Sequence, residues 1–162
     1  MSFAMRTVTF SAICLAAAFA GSATAAPTVG APAPDFTGTD SNGKPHKLSQ
    51  YKGKYVVLEW VNHGCPFVGK HYGSKNMQEL QKTWTGKGVV WLSVNSSAPG
   101  KQGHESGEQA NKTLKEKGAS PTALLLDPKG DIGKLYDAKT TPHMFVVDPK
   151  GTLVYAGAID SV

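Results

Sequence analysis

The sequence predicts an α/β domain of three layers, a central mixed β-sheet flanked by helices. Apolar runs of strand length alternate with amphipathic stretches of helical period through most of the chain. The last two such runs, His143 to Val147 and Thr152 to Ala158, flank Asp148-Pro149-Lys150-Gly151 and read as an antiparallel hairpin. The run from Tyr55 to Val61 is almost continuously apolar, which suits a strand buried on both faces.

The N-terminal segment stands apart. Residues 1–25 carry one cation, Arg6, then a largely apolar stretch from Val8 to Ala20, then small residues ending in Ala23-Thr24-Ala25. That is the pattern of a secretory signal peptide, and the stretch is too short to span a bilayer. The expected domain is residues 26–162, in a periplasmic or secreted setting. Without the leader the chain holds sixteen lysines, no arginine and twelve acids, a net charge of +4. The lysines are dispersed, many of them in turns beside Gly or Pro, so they read as a solvated surface. A nucleic-acid face would cluster its cations among aromatics. No later apolar run is long enough to cross a membrane.

In order, Ala31 to Gly38 reads as extended, with Phe36 turned to the core, and Asp40-Ser41-Asn42-Gly43 as a turn before a short edge strand from Pro45 to Leu48. The central strand follows. Pro66 to Trp84 reads as one helix with Phe67, Val68, Tyr72, Met77, Leu80 and Trp84 on its buried stripe, weakened and open to a kink at Gly69 and Gly73. Val89 to Val94 is a strand, and Asn95 to Gly107, rich in Ser and Gly, is a loop over the active end. Glu108 to Lys117 is a helix stopped by Gly118, Thr122 to Leu126 a strand, and Ile132 to Tyr136 a short helix before the hairpin.

Cys65 is the one cysteine beyond the leader. In an exported chain it has no internal disulfide partner. Three readings are open: an inert buried thiol, a metal ligand, or a reactive thiol. Its place favours the last. Cys65 follows the central strand and precedes Pro66, a residue suited to the first position of a helix. A sulfur there faces unpaired N–H groups and the positive end of the helix dipole, both of which stabilise a thiolate. The metal reading would gather His63, Cys65, His71 and His143.

Three segments together resemble the peroxiredoxin-like redoxins of the alkyl hydroperoxide reductase/thiol-specific antioxidant family, which have a thioredoxin-like fold. They are Gly30-Ala31-Pro32-Ala33-Pro34-Asp35-Phe36, Asn62-His63-Gly64-Cys65-Pro66-Phe67-Val68, and Thr141-Pro142-His143-Met144-Phe145-Val146-Val147-Asp148. The resemblance runs from about Val29 to Ala158 and implies a thiol-dependent oxidoreductase without a cofactor. Its substrate would be a peroxide or a protein disulfide, and its reductant an external thiol. It makes Cys65, Glu59, Thr141 and Pro142 the catalytic set, with a cis bond before Pro142 and Glu59 as a buried proton acceptor of raised pKa. It places His63, Asn62, Pro66 and Phe67 along the substrate cleft, and His63 and Lys70 would add positive charge around the thiol.

The departures narrow the chemistry. Val68 stands where thioredoxins carry the second cysteine of Cys-x-x-Cys, so the site works with one cysteine. Leu58 and Asn62 stand where typical peroxiredoxins have Pro and Thr or Ser, and the activating arginine is missing. Thiol–disulfide exchange is therefore expected to outpace peroxide reduction. The alternatives are a copper-handling protein of the same fold and a binding module with a relic thiol. The family's fold adds a helix after its last strand, whereas this sequence stops at Val162. Either one sheet face is left for a partner or the chain continues.

Overall fold

A computed structural model describes residues 26–160; the expected leader, residues 1–25, lies outside the described residues. The elements run β1 (Thr37–Asp40), β2 (Pro45–Lys47), a 3-10 turn (Leu48–Tyr51), β3 (Val56–Trp60), α1 (Pro66–Gly73), α2 (Asn76–Gly86), β4 (Val90–Asn95), α3 (Gly107–Lys117), β5 (Ala123–Leu126), α4 (Asp131–Leu135), β6 (His143–Val147) and β7 (Leu153–Gly157). The strands form one seven-stranded sheet in the order β2-β1-β5-β4-β3-β6-β7. β3, β4 and β5 are parallel, joined by helical crossovers, and the strands on either side are antiparallel. The mixed α/β sheet expected from the sequence is the one observed.

Strand alternation divides the core. Leu58, Trp60, Leu92, Val94, Leu125 and Phe145 pack on one face with Ile132 and Tyr136 from α4 and its end. Val57, Val61, Trp91, Leu124 and Met144 face the other way, against Val68 and Tyr72 of α1, Met77 of α2 and Ala110 of α3. Every residue of β3 is buried, because helices cover it from both sides and β4 and β6 flank it. β3 is thus the rigid member that carries Glu59 and delivers the chain to Cys65.

Two expectations need correction. The stretch from Pro66 to Trp84 is two helices, because Lys75 adopts φ 61°, a left-handed conformation that ends α1 just after Gly73 and Ser74. The interruption also shifts the helical phase beyond it, so the stripe fails at Trp84; Phe67 fails separately, turned outward in the first turn of α1 while Val68 and Tyr72 are buried. Phe67 is 69% exposed and Trp84 43% exposed, while the buried residues of α2 are Met77 and Gln81. Trp84 lies instead at the rim of an open apolar groove of about 480 Å³, with Tyr55, Leu80, Trp91, Val146 and Tyr155.

Candidate functional site

The site begins where β3 stops. Val61 still bonds β4 through its N–H to the Val94 carbonyl (2.9 Å), and the backbone then turns. Cys65 N–H donates to the Asn62 carbonyl (2.9 Å), and Gly64 N–H donates to Asn62 Oδ1 (2.8 Å), so the Asn62 side chain shapes the turn from within. Cys65 is the N-cap of α1 in extended conformation, with Pro66 as the first helical residue. The proline lacks an N–H at a position where none is needed, which leaves the N–H groups of Phe67 and Val68 to face the sulfur.

The second half arrives from far along the chain. β6 pairs antiparallel with β3, setting His143 opposite Trp60, so the residues just before β6 lie beside the end of β3. The Thr141–Pro142 bond is cis, as expected. Cys65 Sγ–H donates to the Thr141 carbonyl at 3.2 Å. Partial burial pushes the Cys65 pKa up, but the Thr141 hydroxyl and the N–H groups of Val68 and Phe67 hold it down, and they prevail: the thiol lies below its ordinary value. The carbonyl contact favours the thiol and is lost when the proton leaves. The donors outlast it.

Glu59 is fully buried. It points to the α1–α2 side of the sheet, where Oε1 accepts from Tyr72 Oη–H (2.8 Å) and Oε2 accepts from Trp91 Nε1–H (2.7 Å), Ser93 Oγ–H (2.9 Å) and Gln81 Nε2–H (3.0 Å). Burial raises its pKa, and the four donors oppose that rise without cancelling it. Glu59 sits in a central strand, between β4 and β6, and among the described residues its carboxylate meets neutral donors and no lysine. Among the described residues no hydrogen bond joins Glu59 to Cys65. Gln81 also accepts from Ser120 N–H (2.8 Å), which extends the network to the segment between α3 and β5.

The remaining cleft residues divide. Pro66 and Phe67 are exposed beside the sulfur. The Asn62 side chain is engaged within the protein, its Nδ2 donating to the Gln102 carbonyl at 3.2 Å. His63 turns inward, its ring edge-on to Tyr72 with centroids 4.8 Å apart. Both of its ring nitrogens are enclosed without a hydrogen-bond partner, and burial lowers its pKa. His63 therefore adds no positive charge to the thiol near neutral pH. Lys70 pairs with Asp160 at 3.3 Å, and His71 Nε2 lies 3.4 Å from the same carboxylate. The cation set expected around Cys65 is not assembled, and its thiolate relies on hydrogen bonds.

The histidines named for a metal site are dispersed as well. Among the described residues no three His, Cys, Asp or Glu side chains are gathered so as to hold an ion. Gln81, Trp91, Ser93 and Gln102 went unmarked in the sequence. Gln81 left one signal: four residues after Met77, it is a polar side chain on the inward face of a helix.

A sheet with this strand order, a Cys-Pro helix at the end of its central strand and a cis-proline loop facing the sulfur define a redoxin of the thioredoxin fold. The chain belongs to the AhpC/TSA family, which matches residues 29–156. Among curated proteins it is similar to the thiol-disulfide oxidoreductase ResA of Geobacillus kaustophilus, 29% identical over 123 residues, 76% of this chain and 65% of that protein. ResA of Bacillus subtilis is 29% identical over 125 residues, 77% of this chain and 64% of that one. The chain thus spans just under two thirds of the length of these relatives. Among solved structures, an uncharacterized conserved protein from Geobacillus kaustophilus superposes with a TM-score of 0.75 at 28% identity, covering 83% of this chain and 71% of the other. The thioredoxin domain of a thiol-disulfide oxidoreductase from Bacteroides vulgatus gives 0.63 at 25% identity, covering 80% and 87%.

Proposed function

We propose that this protein is an exported oxidoreductase that carries out thiol–disulfide exchange through Cys65 alone, its leader, residues 1–25, being removed on export. The observation that carries the reading is the placement of Cys65 at the entrance of α1, with lowered pKa, against the Thr141–Pro142 loop. The similarity to thiol-disulfide oxidoreductases supports it. In the described residues no helix is long and apolar enough to cross a membrane.

The Cys65 thiolate attacks one sulfur of a protein disulfide. A mixed disulfide forms on Cys65 and the other substrate sulfur leaves as a thiolate. Val68, fully buried in the second core, stands where a resolving cysteine would be. An external thiol therefore attacks the mixed disulfide, frees Cys65 as thiolate and takes the substrate sulfur into a new disulfide. Exposed Pro66 and Phe67 and the Thr141 backbone form the surface against which the substrate chain lies. The proton given up by the attacking thiol is assigned to Glu59, the interior carboxylate of raised pKa six residues before Cys65.

Family membership favours a second reading, in which Cys65 reduces a hydroperoxide and becomes a sulfenic acid that external thiols return to the thiol. Stopped-flow measurement on the reduced protein separates the two, with hydrogen peroxide and a small disulfide as competing oxidants. Exchange is expected to be faster. Peroxide consumption at about 10⁵ M⁻¹s⁻¹ or above, within the range of efficient enzymes, reverses the order.

A further inference from the structure

Residues 96–106, between β4 and α3, form a loop longer than most connections of compact domains, and it is tied to itself. Ser97 N–H donates to Asn95 Oδ1 (2.9 Å), Asn95 Nδ2 to the Gly103 carbonyl (2.8 Å), and His104 Nδ1 to the Ser97 carbonyl (3.0 Å). At its start Ser96 Oγ accepts from Trp60 Nε1–H (3.1 Å) and donates to Asp127 Oδ2 (2.6 Å). So braced, the loop leans on the turn that precedes Cys65. The Gln102 carbonyl accepts from Asn62 Nδ2, and the Gln102 side chain donates from Nε2 to the Gly64 carbonyl at 2.7 Å.

The approach is closer than ordinary residues allow. A Cβ added at Gly103 would lie 2.1 Å from Asn62 Oδ1, and one added at Gly64 would lie 2.9 Å from Gln102 Nε2. Two glycines and two amides thus interlock. Gly64 matters most, because its carbonyl belongs to the peptide that leads into Cys65 and glycine resists rotation least of all residues. Its N–H is held by Asn62 and its carbonyl by Gln102. With both ends of the residue held, the Cys65 backbone cannot swing and the sulfur stays over the first N–H groups of α1.

We propose that Gln102 is a positioning residue for Cys65: its side-chain amide clasps the Gly64 carbonyl and, with Asn62, fixes the turn that sets the sulfur at the helix entrance. The inference rests on the reading of Cys65 as the reacting thiol. Gln102 touches no reacting atom, and its effect passes through Gly64. The site is thereby built from three separate segments, 62–67, 96–106 and 141–142, the middle one supplying no chemistry of its own.

Gln102→Met in the full chain is the test, since methionine keeps the length and neutrality of the side chain and removes the donor. Iodoacetamide alkylation of Cys65 is followed against pH, with thermal melting alongside. The expected result is a midpoint higher by about half a unit, hence alkylation about threefold slower at pH 7, with the same plateau rate at high pH and the same melting temperature. Gln102→Ala is expected to repeat the shift. An unchanged midpoint overturns the proposal. So does a lower melting temperature with a reduced plateau, which would mark Gln102 as a structural stitch. Exchange with 4,4′-dithiodipyridine on the unsubstituted protein separates this result from the functional reading. If that exchange is absent while the midpoint still shifts, the clasp stands and the proposed function falls. If exchange is fast and Gln102→Met matches the unsubstituted protein, the clasp falls alone.

Discussion

Cys65 and Glu59 lie six residues apart, each can carry a negative charge, and each is met by neutral hydrogen-bond donors, yet their pKa values move in opposite directions. Glu59 has the larger set, with four donors. Depth decides the difference. No water reaches Glu59, and hydrogen bonds from neutral groups do not replace full hydration. Cys65 is open on one side, so its desolvation, although the largest single influence on it, is outweighed by three well-aimed donors together. One strand end therefore holds a thiol ready to lose its proton and a carboxylate ready to take one.

The largest effect is expected from Cys65→Ser, which should abolish both disulfide exchange and peroxide reduction in stopped-flow assays. Residual activity would mean that the reacting group lies elsewhere. Next comes Glu59→Ala, which strips the acceptor from four buried donors. At about 1–3 kcal/mol for each unsatisfied group, partly relieved by relaxation, urea unfolding should show a loss of at least about 3 kcal/mol. Glu59→Gln keeps the shape and should leave the fold intact while slowing resolution of a mixed disulfide on Cys65. An unchanged resolution rate would reduce Glu59 to a structural role.

Thr141→Val probes the other side of the comparison. Without the hydroxyl the thiolate loses one donor, and the alkylation midpoint should rise by roughly half to one unit. A midpoint that stays put would assign the lowered value to α1 alone. The smallest effect is on stability against pH. Cys65 has a lowered native pKa, so the stability tied to it is present above the ~8.5 of an unfolded cysteine and is lost as pH falls through the native value. Glu59 has a raised pKa, so its contribution is full below the ~4.3 of an unfolded glutamate and declines as pH rises through the native value. Denaturation curves across pH should show both slopes. Cys65→Ser should remove only the alkaline slope and Glu59→Gln only the acid one.

Much of this arrangement was legible in the chain. β3 announced itself by composition, Glu59 by interrupting it, and Cys65-Pro66 by the proline suited to a helix start. These are local signals, carried by neighbours in sequence. The stripe failed at Trp84 because periodicity assumes an unbroken helix and Lys75 adopts a left-handed conformation, and at Phe67 because the first turn of α1 opens beside Cys65 and leaves that side chain exposed. The partners of Glu59 were hidden for another reason: Tyr72, Gln81, Trp91 and Ser93 come from three elements, and only β3–β4 register and helix docking bring them together. His63 misled because a histidine next to the site turns its ring into the core. Gln102 carried no periodic signal, being a polar residue in a polar loop.

Cys65 and Thr141 are separated by 76 positions, and that distance has a temporal meaning. A newly made chain has Cys65 long before β6 docks against β3, and closing so wide a loop comes at an entropic cost that only the assembled sheet repays. Until then the sulfur lacks Thr141 and a stable α1, and it behaves as any cysteine in a loose polypeptide. The lowered pKa of Cys65 is a product of completed folding, so in a nascent molecule the sulfur holds its proton more firmly until the sheet is closed. Labelling of Cys65 at neutral pH then doubles as a clock for the last long-range closure of the sheet.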